Sequence, residues 1–169
     1  MINPNLSSAP DTVRKIILDQ ASSRLESQCA FAASQDSRAV TLISASASLA
    51  AASAGIAIAA ASGDRLALAW AASVATIGFV VTAGASLYSL RSRGFHSKGW
   101  YPHDFLDDLA AGKDAAAIET DIIEDLEIRL RHNAKVLSER GRVFNLAAIV
   151  IALTPICALV AGLLANSHG

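Results

Sequence analysis

Three uncharged stretches limit what this chain can fold into. Residues 39–63, 66–90 and 143–167 each run for 25 residues without an Asp, Glu, Lys, Arg or His. A helix crosses the hydrocarbon core of a bilayer in about 20 apolar residues, so each stretch is long enough. Only Asp64 and Arg65 separate the first two, and the link Ser62-Gly63-Asp64-Arg65 is short enough to make them an antiparallel hairpin. The alternative is a soluble bundle whose buried helices are apolar all round. Ser44, Ser46, Ser48, Ser53 and many alanines make the first stretch only mildly hydrophobic and leave that alternative open for it. The second and third stretches argue against it, because neither carries the charged stripe of a surface helix in a soluble domain.

Charged residues make up 17% of the 169, below the roughly 25% usual in soluble domains. They collect in residues 11–38 and 91–142. The expected fold class is an all-α membrane protein, three transmembrane helices with long helices extending into a cytoplasmic helical stalk. By segment, 1–38 is a cytoplasmic N-terminal amphipathic helix, 39–63 transmembrane helix 1 and 66–90 transmembrane helix 2. Residues 91–142 form a cytoplasmic loop and amphipathic helix, the expected sensor, and 143–167 transmembrane helix 3. A net charge of −1 gives no reason to expect a nucleic-acid polymer as partner. Cys29 and Cys157 sit in unrelated settings and make neither a metal spacing nor a disulfide framework. The polar lead before the first stretch argues against a cleaved signal peptide.

Asp11, after Pro10, is placed to cap a helix. From there Val13, Ile17, Ala21, Leu25, Cys29 and Ala32 recur at helical spacing opposite Arg14, Asp19, Arg24 and Glu26. No breaker intervenes before the first span, so one helix is expected to begin in water and run into the membrane. Small residues recur in both hairpin spans: Ser44, Ser48, Ala52, Gly55 and Ala59 in the first, then Ala67, Ala71, Ala75, Gly78 and Thr82 in the second. This spacing lets helix backbones approach closely in lipid, within a protomer or between protomers. Asp104 to Ala111 predicts a short helix ended by Gly112, and Asp114 a cap for a much longer one. Ile118, Ile122, Leu126, Leu130, Ala134, Leu137, Gly141 and Phe144 mark one face of that helix, which is expected to pack against residues 13–35 as an antiparallel or crossed stalk. Thr154-Pro155 predicts a kink in the third span.

The candidate ligand-binding residues are Arg91, Arg93, Lys98, Trp100 and Tyr101 from a basic, aromatic loop, with His132, Asn133 and Arg140 from the long helix. An aromatic ring stacks on a base and guanidinium or ammonium groups meet phosphate. The simpler reading of the loop is a positive flank with interfacial anchors. Asp36 and Arg38 stand at the membrane boundary, as a polar collar or as partners for another helix. No catalytic residue, metal or cofactor is expected. His103 and Asp107 have metal-ligand spacing, but surface charge explains them and no fuller ligand motif accompanies them. Arg38, Arg91, Arg93, Lys98, Lys135, Arg140 and Arg142 all flank the spans on one side and Arg65 alone on the other. Positive charge stays inside, which puts the N-terminus in the cytoplasm.

Asp36-Ser37-Arg38-Ala39 at the membrane entrance, and the stretch from Asp125-Leu126-Glu127 to Asn133-Ala134-Lys135-Val136-Leu137 followed by Arg140 and Phe144, give this layout a likeness. It resembles the transmembrane effectors of Pycsar anti-phage systems, with Arg38 where Lys is expected. The resemblance implies an antiviral defence protein of the bacterial cell inner membrane, homo-oligomeric and not an enzyme. A partner cyclase would supply a cyclic pyrimidine nucleotide, cCMP or cUMP. Binding in the cytoplasmic part would then breach the lipid bilayer, causing abortive infection. Other nucleotide-signalling membrane effectors share much of this layout, and a ligand-free helical scaffold fits the same periodicities.

Overall fold

A computed structural model describes residues 6, 9–91, 94–97, 99 and 102–167. Four helices follow in order: α1 (Asp11–Ser62), α2 (Leu66–Ser89), α3 (Pro102–Ala110) and α4 (Ala115–Ser167). No strand occurs among the described residues. α1, α2 and α4 are each long and apolar enough to cross a membrane, which makes this a multi-pass membrane protein by length and composition.

The helix ends follow from local chemistry. Asp114 Oδ1 accepts the Ala117 N–H at 2.8 Å and so caps α4. α3 stops in a Schellman turn, with Lys113 N donating to Asp108 O and Gly112 N to Leu109 O. Gly112 holds φ 72°, a left-handed value that suits a residue without a Cβ. In the α1–α2 turn Asp64, rather than its glycine neighbour, takes the positive φ.

The chain divides into two units. The first holds residues 1–33 and 92–137, the second 34–91 and 138–169. In the first, α1 and α4 run in the same direction: Arg14 bonds Glu119, and Gln28 Nε2 bonds the Leu130 carbonyl. The antiparallel or crossed stalk expected from sequence is therefore corrected to a parallel pair. The reason is topological, since α1 and α4 are separated by one antiparallel return, α2, and must point the same way. Arg14, expected on the polar face, is buried, with its guanidinium shared between Glu119 and Asp11.

Burial keeps a seven-residue period rather than a 3.6-residue one. On α1 the buried line runs Leu25, Ala32 in the first unit and Ala39, Ser46, Ser53, Ala60 in the second. On α4 it runs Leu126, Asn133, then Ala147, Thr154, with Arg140 at the intervening heptad position. A strict heptad repeat is the signature of left-handed supercoiled packing. In the second unit the seam residues are small, and the large ones face outward: Ile77, Leu87, Ile156 and Leu159 are all exposed. That inversion is what a lipid solvent demands, since hydrocarbon is as apolar as a leucine side chain and gives no drive to hide one.

Close approach replaces large side chains in that seam. A Cβ built on Gly78 would lie 2.3 Å from Thr154 Oγ1, and one on Gly162 would lie 3.2 Å from the Ala71 Cβ. Ser53 and Thr76 share a hydroxyl–hydroxyl hydrogen bond of 2.9 Å between α1 and α2. The small residues of α2 are thus in use against α4. Those of α1, Ser44, Ser48, Ala52, Gly55 and Ala59, are exposed instead.

Candidate functional site

Of the expected ligand site, the first unit holds His132 and Asn133 among the described residues. Asn133 sits at a heptad seam position with no exposed surface. Its amide makes two hydrogen bonds to the main chain of one residue: Nδ2 donates to the His96 carbonyl at 2.9 Å, and Oδ1 accepts the His96 N–H at 3.0 Å. A side-chain amide has the same donor–acceptor pair as a peptide group, so it can pin an irregular loop as a neighbouring strand would. The His132 ring meets the His96 ring edge to face, with centroids 4.9 Å apart. Arg129 completes the clip: Nη1 donates to Gly99 O at 3.1 Å, and Nε pairs with Asp125 at 2.6 Å. His132 and Asn133 therefore lie against His96 of the loop. Arg93, Lys98, Trp100 and Tyr101 lie outside the described residues, as does the side chain of His103.

Arg91 and Arg140 meet in the second unit. Arg140 Nη2 donates to the Arg91 carbonyl at 3.2 Å, and Nη1 approaches Asp36 Oδ1 at 3.4 Å. Asp36 thus pairs with another helix, while Arg38 is exposed. Arg140 is a charge in the heptad seam with its side chain only 11% exposed, and its buried Nε has no hydrogen-bond partner among the described residues. Gln35, beside it, has a buried carbonyl oxygen in the same condition. The guanidinium is held by one long ion pair and one carbonyl, a modest return for its desolvation.

Periodicity alone passed over one feature of the first unit, an open groove between α1 and α4. One part, of about 580 Å³, is lined by Phe31, Gln28 and Arg24 of α1 and by Glu127, Leu130 and Ala134 of α4. A second part, of about 380 Å³, continues past Ile16, Ile17 and Ile123 and shares Arg24, Glu127 and Leu130 with the first. Heptad bookkeeping in place of 3.6-residue counting is the signal that finds it. Elsewhere in this unit, Lys113 bridges Asp108 at 2.7 Å and Asp121 at 2.6 Å. Hydrogen bonding to Asp108 first, then to Asp121, raises the Lys113 pKa above the ordinary lysine value. Hydrogen bonding to Glu119 likewise raises that of Arg14. No group of three or more metal-ligating side chains occurs among the described residues.

No protein-family model, curated protein or solved structure matches the chain.

Proposed function

We propose that this protein is a membrane effector of bacterial anti-phage defence, which binds a cyclic pyrimidine nucleotide, cCMP or cUMP, and then impairs the inner membrane. The observation that carries the reading is that α1 and α4 are each single helices containing both charged residues of the first unit and a 25-residue uncharged stretch. A rearrangement of the charged part has no flexible linker to absorb it. The ligand class comes from the resemblance, and the residues proposed to bind it are those of the basic, aromatic loop together with His132, Asn133 and Arg140. The N-terminus and residues 91–142 face the cytoplasm as a helical stalk, in keeping with the basic residues that flank the spans. A ligand can drive such a change only through tighter binding to the active arrangement than to the resting one.

The test is calorimetric titration of the detergent-purified chain with cCMP, cUMP, cAMP and cGMP. Dye release from vesicles of phosphatidylethanolamine and phosphatidylglycerol is then measured with and without the ligand that binds. Selective binding of one pyrimidine nucleotide with ligand-dependent leakage supports the proposal. Binding of none refutes the receptor and leaves an effector of another nucleotide-signalling system or a scaffold. Arg93→Ala combined with Trp100→Ala is expected to abolish binding without affecting membrane insertion.

A further inference from the structure

The α1/α4 pair of the first unit is covered on one side by the loop that Asn133 holds, and is open on the other along the groove. Two helices alone leave flanking positions beside a heptad seam, and in a two-stranded coiled coil those positions are charged. Here two are apolar: Ile16 is 60% exposed and Phe31 52% exposed, both on the groove. An apolar stripe wider than a two-helix seam is the pattern of a larger bundle.

The second unit, taken by itself, also leaves part of α1 uncovered. In the first unit Ile16, Gln20, Arg24, Ser27 and Phe31 line the groove, and in the second Ser44, Ser48, Ala52, Gly55 and Ala59 recur at three- and four-residue steps. All five are exposed, and a Cβ on Gly55 would meet nothing within 4 Å. In the first unit the α1 side of the groove is thus mixed, with Ile16 and Phe31 apolar and Gln20, Arg24 and Ser27 polar between them, and in the second unit the exposed residues named are small. Leucine-rich surface suits lipid, whereas small residues at four-residue spacing suit another helix.

We propose that the groove of the first unit docks a second copy of this chain, so that α1 and α4 of two copies form a parallel four-helix bundle there, and that the small exposed residues of α1 in the second unit pack against the second copy as well. The proposal rests on the homo-oligomer contained in the proposed function and names its surface. Copies inserted in one membrane share a direction, so a two-fold axis must run along the helices. Residues at equal height then face each other. Arg24 has no acidic partner among the described residues, and Glu127 lines both parts of the groove with it. A two-fold interface presents each contact twice, so Arg24 of each copy meets Glu127 of the other. Glu127 keeps its pair with Arg131 as well, because a carboxylate has room for two donors.

The experiment is the mass of the detergent-purified full chain by light scattering across a dilution series. A dimer is expected. Arg24→Glu should weaken it about tenfold, the effect of two exposed contacts turned repulsive, and adding Glu127→Arg should restore it. Gly55→Leu, which meets nothing within its own protomer, should dissociate the dimer while helix content by circular dichroism is unchanged. A monomeric wild type overturns the proposal, and so does a dimer indifferent to both Arg24→Glu and Gly55→Leu. Nucleotide titration of the same samples separates the two readings. A monomer that binds cCMP or cUMP removes the interface alone, and a dimer that binds no nucleotide removes the receptor alone.

Discussion

Gly78→Ala tests the packing that stands in for a hydrophobic core in the second unit. The new methyl would lie 2.3 Å from Thr154 Oγ1, 2.7 Å from Thr154 Cγ2 and 3.0 Å from Thr154 Cβ. Carbon atoms prefer separations of about 3.5–4.0 Å. Rotating the threonine moves the first two atoms but not the third, and its hydroxyl is already committed to the Val150 carbonyl at 2.8 Å. α2 must therefore move away from α4 by about half an ångström or more to restore that spacing. Overpacking of this kind costs about 1–3 kcal/mol, offset by up to about 1 kcal/mol from alanine's better helix propensity. The net expectation is a loss of about 1–2 kcal/mol. Thr154→Ala removes both nearest atoms, so the double variant should recover much of that loss, with a coupling of about 1–2 kcal/mol. Unfolding of all four proteins by sodium dodecyl sulfate in mixed micelles, followed by circular dichroism, measures the cycle. Gly84→Ala, whose Cβ would meet nothing within 4 Å, is the control and should be neutral or slightly stabilising. If Gly78→Ala behaves like Gly84→Ala, or the coupling is zero, α2 and α4 do not meet at Gly78 and Thr154.

Asn133→Ala removes both bonds to His96 and leaves that residue's peptide groups to be paired by solvent; a cost of about 1–3 kcal/mol and faster cleavage within residues 94–99 under limited proteolysis are expected. Asn133→Asp keeps the acceptor but sets a buried carboxylate oxygen against the His96 carbonyl, and should cost at least as much as Asn133→Ala in the same assay. Asp36→Asn leaves the Arg140 guanidinium without its carboxylate and should lower the thermal midpoint, whereas Arg140→Met, of similar length and uncharged, should be tolerated better than Asp36→Asn. For Lys113 the folded pKa is raised above the ordinary 10.5, so its contribution is complete below that value and disappears only as pH rises through the raised one. Lys113→Met should thus lower the thermal midpoint equally at pH 6 and pH 9, and a loss seen at only one of them would contradict the bridge to Asp108 and Asp121.

The three long apolar helices, the hairpin turn, the α3 stop at Gly112 and the Asp114 cap were all legible, because each depends on chain-local chemistry: length of apolar run, a residue free to take positive φ, a carboxylate before a helix. The seam was not. Reading apolar residues at three- and four-residue steps chose Ala134, which is exposed, and passed over the burial of Asn133 and Arg140 because they are polar. Hydrophobicity is the signal that periodicity counts, and a seam built from Ser, Thr, Asn and Arg is silent in it. Arg14 was misplaced for the same reason, its partner Glu119 being 105 residues away in sequence. The two halves of the candidate site show the limit most plainly. His132 and Asn133 do lie against the loop, whereas Arg140 and Arg91 meet each other in the second unit, a division no spacing along the chain could foretell.

A seam made of small polar residues has a mechanical consequence for the proposed function. Interlocked leucines fix two helices in one register, since sliding opens cavities that cost several kcal/mol. Small side chains open only small ones. The hydroxyls of Ser46 and Ser86 are also buried without partners among the described residues, so the resting arrangement is not one in which every polar atom of the seam is paired. Under the proposed function, a shifted register that pairs or hydrates these groups is one the ligand would have to favour. Moving a population from 1:99 to 99:1 takes about 5.5 kcal/mol of differential binding. Replacing Ser46 and Ser86 together by alanine removes the two unpaired hydroxyls and stabilises the resting seam. The ligand concentration needed for vesicle leakage should then rise, with nucleotide affinity measured by calorimetry falling in step because the two equilibria are linked. Unchanged leakage and unchanged affinity in that variant would mean that the seam does not move when the ligand binds.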